Sequence, residues 1–187
     1  MKGKNIFLGC GIVLLVIFFL VGGWCFIIKS GAIFSFMPNP PMPEITYGEF
    51  PISVTCEING EIKEIKDTII CEFDGINDYG SGGKRRKWKS YLKSGNERIT
   101  LLKVDETSEL YCNYGMPEYY MDDLRFQTRE EYEQVRERDL DSMFIILGKW
   151  EGNELKSNFI AANEAWEKYG LKIIKVNYSP PIQNSFK

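Results

Sequence analysis

The sequence predicts an α+β fold, with an N-terminal transmembrane helix followed by a mostly antiparallel β-sheet domain of about seven or eight strands with two helices. Two observations carry this. The N-terminus holds a long uncharged apolar run. Beyond it the chain breaks into short alternating apolar segments separated by Gly, Asn, Asp and Pro, and helical spacing is confined to two later stretches.

Lys2 and Lys4 precede 24 uncharged residues, Asn5 to Ile28, closed by Lys29. At 1.5 Å rise per residue this run reaches about 36 Å, enough to cross a hydrocarbon core of about 30 Å with some tilt. The competing reading is a cleaved secretory signal, with Ser30 and Ala32 as the small residues of a cleavage site. The apolar stretch is about twice the usual length for such a signal, and Lys29 interrupts it before the cut, so retention of the anchor is the expectation. "FLGC", ending at Cys10, has too short an apolar lead to serve as a lipoprotein box. The positive-inside tendency puts the N-terminus in the cytoplasm and the C-terminal domain outside, as a single-pass cell-membrane protein with the bilayer as partner of residues 5–28. Gly9, Gly11, Gly22 and Gly23 never fall four apart, so no small-residue dimer face is written into the span.

Residues 1–29 are thus read as the anchor and 30–43 as a linker, in which Pro38, Pro40, Pro41 and Pro43 favour an extended spacer. Residues 44–187 make one domain, long enough to close a core. Its 26 acids against 20 Lys and Arg give a formal charge of −6, a poor match for nucleic acid.

Within the domain, Ile52, Val54, Cys56 and Ile58 alternate with polar residues, and Asn59-Gly60 is a strong hairpin signal. "DTIICEF" reads as a further strand with Ile69, Cys71 and Phe73 on one face. "KWKSYL", "RITLLKV" and "ELYCNY" read as a meander turning at Ser94 to Asn96 and at Asp105 to Ser108. "TREEYEQVRERDL" opens with a Thr128 to Glu131 capping box, and Tyr132, Val135 and Leu140 form a thin apolar stripe. "MFIIL", residues 143–147, suits a buried strand. "NFIAANEAWEKYG" predicts a helix with Phe159, Ala162, Trp166 and Tyr169 on one face, a Glu164 to Lys168 pair outside and Gly170 as its C′ residue. "LKIIKVNY" closes the domain as a strand before the Pro180-Pro181 tail.

The chain contains no histidine, which excludes imidazole general bases, Ser-His and Cys-His pairs and imidazole zinc sites. Cys56, Cys71 and Cys112 form no CxxC pair, so neither a metal nor any other cofactor is expected. Strand parity turns all three toward the apolar side if Val104 pairs with Glu109 and so sets Cys112 opposite Leu101. Buried thiols are therefore favoured over a Cys56 to Cys71 disulfide.

The stretch "FDGINDYGSGGKRRKW" fails the Walker A pattern at Asp78 and Arg85 and the EF-hand pattern at Ile76 and Tyr79. What remains is charge, because residues 84–103 carry eight Lys or Arg and only Glu97. Lys84, Arg85, Arg86 and Lys87 with Trp88 are therefore one candidate ligand surface, joined by Tyr119 and Tyr120 from an aromatic cluster able to stack on sugars. The dull alternative is neutralisation by residues 105–141, where twelve acids face four arginines, or plain solvation of a strand with Trp88 and Leu92 turned inward. No catalytic constellation is legible, and paired carboxylates for glycoside hydrolysis depend on a separation in space that sequence does not give.

Across "EITYGEFPISVTCEINGEIKEIKDTIICEFDG", "RKWKSYLKSGNERITLL" and the closing "PIQNSFK", the chain resembles small membrane-anchored extracytoplasmic proteins of Gram-positive bacteria. That resemblance implies a location outside the cell and supplies no active residues. The expected role is a non-catalytic envelope-interaction or binding domain, with an anionic or carbohydrate envelope polymer, or a protein, as partner. A binding module for such a polymer and a carboxylate-based hydrolase stand as alternatives.

Overall fold

The computed structural model describes residues 38–138 and 145–187. The predicted membrane helix over 5–28, most of the linker, Leu140 and the first two residues of "MFIIL" lie outside the described residues. Among the described residues no helix is long and apolar enough to cross a membrane.

The described fold is α+β and mostly antiparallel, with strands β1 (Tyr47–Ile58), β2 (Glu61–Asp78), β3 (Lys84–Leu92), β4 (Ile99–Lys103), β5 (Ser108–Cys112), β6 (Ile145–Glu151), β7 (Glu154–Ile160) and β8 (Leu171–Tyr178). Three helices accompany them: α1 (Pro117–Tyr120), α2 (Arg129–Arg138) and α3 (Ala162–Tyr169). One sheet has the order β3-β2-β1-β8 and the other β4-β5-β6-β7. The described residues divide into two compact units, one containing 38–42 and 75–87 and the other Pro43–Asp74 and the described residues from Trp88 to Lys187. In the described residues of the first unit, a 3₁₀ turn at Gly80–Gly82 precedes the start of β3.

In the second unit both sheets bury one apolar face into a shared core. Val54 and Cys56 of β1, Ile69 and Cys71 of β2, Leu92 of β3, Leu110 and Cys112 of β5 and Leu171 of β8 are all fully buried there. The period-2 alternation of β1 produces this directly, because its even-numbered residues from Phe50 to Ile58 are inside while the odd-numbered ones reach solvent. Asn59 (φ 51°) and Gly60 (φ 87°) both have positive φ, as a type I′ hairpin turn demands, and β1 pairs with β2 from Ile58↔Glu61 to Tyr47↔Glu72.

Several expectations are corrected here. "DTIICEF" is not a separate strand but the middle of the 18-residue β2, because the continuous ladder with β1 carries it through Lys66 and Asp67. Asp67, the first residue of that stretch, accepts hydrogen bonds from Ser94 at the next turn. The predicted meander is split, since β3 belongs to the first sheet and β4 pairs with β5 in the second. A bulge at Leu101 shifts the β4–β5 register, so Lys103 rather than Val104 faces Glu109, and Cys112 lies opposite Ile99. The inward orientation of Cys112 survives that shift.

In the second half, α2 carries the reciprocal capping box, with Glu131 N–H donating to Thr128 Oγ1 (3.1 Å) and Thr128 N–H to Glu131 Oε2 (2.7 Å). The last helix is shorter than predicted. Gly152 (φ 65°) closes a β6/β7 hairpin, Phe159 sits exposed on β7, and α3 begins at Ala162. Its buried residue is Ala165, while Trp166 is turned to solvent. Gly170 is the left-handed C′ residue (φ 62°) and Lys168 reaches Glu164 at 2.9 Å, both as the sequence predicts.

The C-terminal tail is fastened back onto the entrance of this unit. Asn184 bridges Ile45 N–H and carbonyl (3.0 Å each), Glu44 N–H donates to the Ser185 carbonyl (2.9 Å), and Lys187 pairs with Glu44. That lysine, followed by the Ser185 hydroxyl, holds the Glu44 carboxyl below its ordinary range.

Candidate functional site

The residues singled out from sequence divide by burial. In the first unit, Arg86 Nη1 donates to the Pro41 carbonyl (2.9 Å), and Arg85 lies over the Tyr79 ring (5.1 Å) with its Nε near the Gly82 carbonyl (3.4 Å). Lys84 is half-buried and Lys87 exposed at the start of β3. In the second unit, Trp88 is inside the core and its indole N–H donates to Asp123 Oδ2 at 2.8 Å. Tyr119 and Tyr120 are 2% and 0% exposed, with their hydroxyls donating to Glu133 (2.6 Å) and to the Tyr114 carbonyl (2.7 Å). These three rings are packing elements, and none offers a face to a polymer.

Farther along the basic stretch, Lys89 meets Glu72 (2.8 Å) and Lys93 meets Glu49 (2.6 Å). Arg98 pairs with Glu109 (3.0 Å) beneath the Tyr111 and Trp150 rings. Lys89 and Lys93 are thus neutralised from β1 and β2, and Arg98 by Glu109 of the acidic 105–141 segment. Lys89, then the Tyr91 hydroxyl, holds the Glu72 carboxyl below its ordinary range; Lys93, then Tyr47, does the same for Glu49. The Glu49 carboxylate in turn pushes the Tyr47 phenol up to about 12.

Among the described residues the cysteines offer no reactive thiolate. Cys56, Cys71 and Cys112 are free and buried, and burial pushes Cys71 and Cys112 up to about 12 and raises Cys56. Register separates the possible partners, since Cys56 faces Lys63 while Cys71 faces Gly48. Eight ladder steps are about 27 Å at ~3.4 Å per residue, far beyond the ~6 Å that a disulfide spans between Cα atoms. Among the described residues, no cluster of three His, Cys, Asp or Glu side chains is placed to hold a metal ion.

Among the described residues, the second unit has a small concavity of about 200 Å³ between the β4–β5 turn and Trp150, and two larger ones. One is a shallow groove of about 520 Å³ over β1, β2 and β8. Several of its polar groups are already engaged within the protein: Asn177 Nδ2 donates to Ser53 Oγ (2.9 Å), Ser179 Oγ to the Pro51 carbonyl (2.8 Å), and Lys66 pairs with Glu64 (2.8 Å). Asp67 accepts from Thr68 N–H (2.7 Å) and from Ser94 Oγ (2.5 Å) and N–H (3.2 Å).

The other is a cleft of about 440 Å³ lined by Glu57, Lys172, Asn163 and Trp166 over walls of Ile145, Ala162 and Ile173. Glu57 and Lys172 are Cα partners across β1 and β8, so their side chains leave the same face within reach of each other. Asn163 and Trp166 are three apart on α3 and share a helix face. None of these four side chains makes a hydrogen bond or ion pair with another described residue. Trp166 is 46% exposed.

The wall is pinned from behind, where Asn59 N–H donates to the Gly170 carbonyl (2.9 Å). A Cβ at Gly170 would lie 2.1 Å from Asn59 Oδ1, so a larger residue there would both strain the left-handed backbone (φ 62°) and displace the Asn59 side chain.

Sequence reasoning missed this cleft because it counted the α3 stripe from Phe159, which assigned Trp166 to packing. Spacing could not have found it, because Ala162, Ala165, Trp166 and Tyr169 all fall on one helical face, and only the packing of α3 in the fold leaves Ala165 buried and Trp166 exposed. No family model matches the chain, and no curated protein or solved structure matches it.

Proposed function

We propose that this chain is a single-pass membrane protein whose C-terminal domain stands outside the cell and binds an envelope component without transforming it. The observation that carries the binding reading is the cleft of Glu57, Lys172, Asn163 and Trp166, where donors and acceptors of both signs converge beside a half-exposed indole with no partner among the described residues. Anchorage rests on the 24-residue uncharged run from Asn5 to Ile28 and on the lysines that flank it.

The non-catalytic character rests on the absence of histidine from the sequence and on three thiols that burial keeps protonated. A carboxylate hydrolase needs a second acid facing the first, and the cleft lining contains one carboxylate, Glu57.

Protease treatment of intact cells tests the topology. The domain should be removed from whole cells, and protection there with digestion only after lysis overturns it. Co-sedimentation of the full chain with isolated envelope tests the binding. It should fall when Ala162→Arg fills the cleft with a bulky cation and persist when Lys84, Arg85, Arg86 and Lys87 are all changed to Ala. The opposite pattern would move the binding surface to the basic stretch and favour an anionic polymer.

A further inference from the structure

We infer that the cleft ligand is a saccharide segment, bound by stacking of a sugar ring on Trp166 while its hydroxyls bridge Glu57, Asn163 and Lys172; this deepens the binding reading and rests on it.

Charge favours a neutral ligand. Glu57 and Lys172 are directly opposed across the β1–β8 ladder, so the charged pair at the cleft sums to zero and gives an anion or cation no net attraction. Chemistry then narrows the class. A carboxylate only accepts, an ammonium only donates, and an amide does both, so one ligand that satisfies all three must present both donors and acceptors. Hydroxyls do this, and a sugar ring presents several at fixed spacing. The same ring has C–H faces, which suit the half-exposed indole of Trp166 and the walls of Ile145, Ala162 and Ile173. The cleft volume of about 440 Å³ lies within the usual range for a small-molecule site. The anchoring geometry is fixed before binding. Asn163 and Trp166 are held on one turn of α3, whose end is locked at Gly170, while Glu57 and Lys172 are held by ladder pairing.

The test titrates the full-length chain, in a detergent without a sugar headgroup, with chitotriose, maltotriose, inorganic polyphosphate and a mixture of free amino acids, by calorimetry and tryptophan fluorescence. At least one trisaccharide should bind and change the fluorescence. Trp166→Ala should weaken that binding about tenfold or more, while Trp166→Phe recovers some of it. Glu57→Gln should lose only a few-fold, since an amide oxygen still accepts from a hydroxyl. Binding of polyphosphate or amino acids that Trp166→Ala abolishes would leave the cleft as the site and overturn the saccharide. Trisaccharide binding unchanged in folded Trp166→Ala would leave the binding function and overturn the cleft. Silence from both trisaccharides overturns the inference as stated.

Discussion

The groove over β1, β2 and β8 and the cleft beside α3 are of similar size, yet their polar groups have opposite fates. In the groove, Asn177, Ser179, Lys66 and Asp67 are joined to neighbours and stabilise the fold. In the cleft, Glu57, Lys172, Asn163 and Trp166 have no such partners among the described residues. Volume alone would rank the groove first. The partnering of polar atoms reverses that order, because a group already satisfied inside the protein gains little from a ligand, whereas a solvated one can exchange water for it.

Mutations should separate the two regions sharply. Gly170→Ala has the largest expected effect, about 2–3 kcal/mol of lost stability from the left-handed backbone and the approach to Asn59, measured by chemical denaturation. Asn59→Gly in the same chain should recover some of it, and no recovery would mean that the contact is not the cause. Asp67→Ala in the groove should cost about 2 kcal/mol, because it strips the Ser94 turn and Thr68 N–H of a charged acceptor, and should leave binding unchanged. Trp166→Ala should shift stability by no more than about 0.5 kcal/mol while abolishing most binding. A stability loss as large as that of Asp67→Ala would make Trp166 a packing residue and erase the contrast.

The smallest effect is that of pH. Glu44, Glu49, Asp105 and Glu72 have carboxyls held below their ordinary range by exposed partners. Their contribution is complete above the unfolded-state pKa and is lost as pH falls through the lower folded-state pKa. Thermal midpoints should therefore decline gently below the ordinary carboxylate range, and added salt should flatten the slope.

Local chemistry was legible wherever it was self-contained. The Asn59-Gly60 turn, the Thr128–Glu131 box and the Gly170 cap are each decided by residues within a few positions of one another, and the structure contains all three. The inward cysteines followed from strand parity. Pairing was harder, because whether β3 turns back to β4 or leaves for another sheet is decided by partners far away in sequence. Tyr119 and Tyr120 show the same limit, since their aromatic richness was visible but the short helix α1, started at Pro117, that turns them inward was not. The cleft joins β1, α3 and β8, which are far apart in sequence, so it became visible only in the folded arrangement.

The run of β1 has a mechanical consequence. Its first residue, Tyr47, lies close along the chain to Pro43, where the segment from the proposed anchor enters the unit, and Glu57 at the other end borders the cleft. A ligand held in the cleft and pulled against that entrance would load β1 along its own axis, over about 40 Å at ~3.4 Å per residue. The ladders to β2 and β8 flank β1 on both sides, so their hydrogen bonds would share the tension in shear rather than break singly in succession. The strand that displays the proposed binding carboxylate would thereby also be the member best placed to bear a tug between cell and ligand.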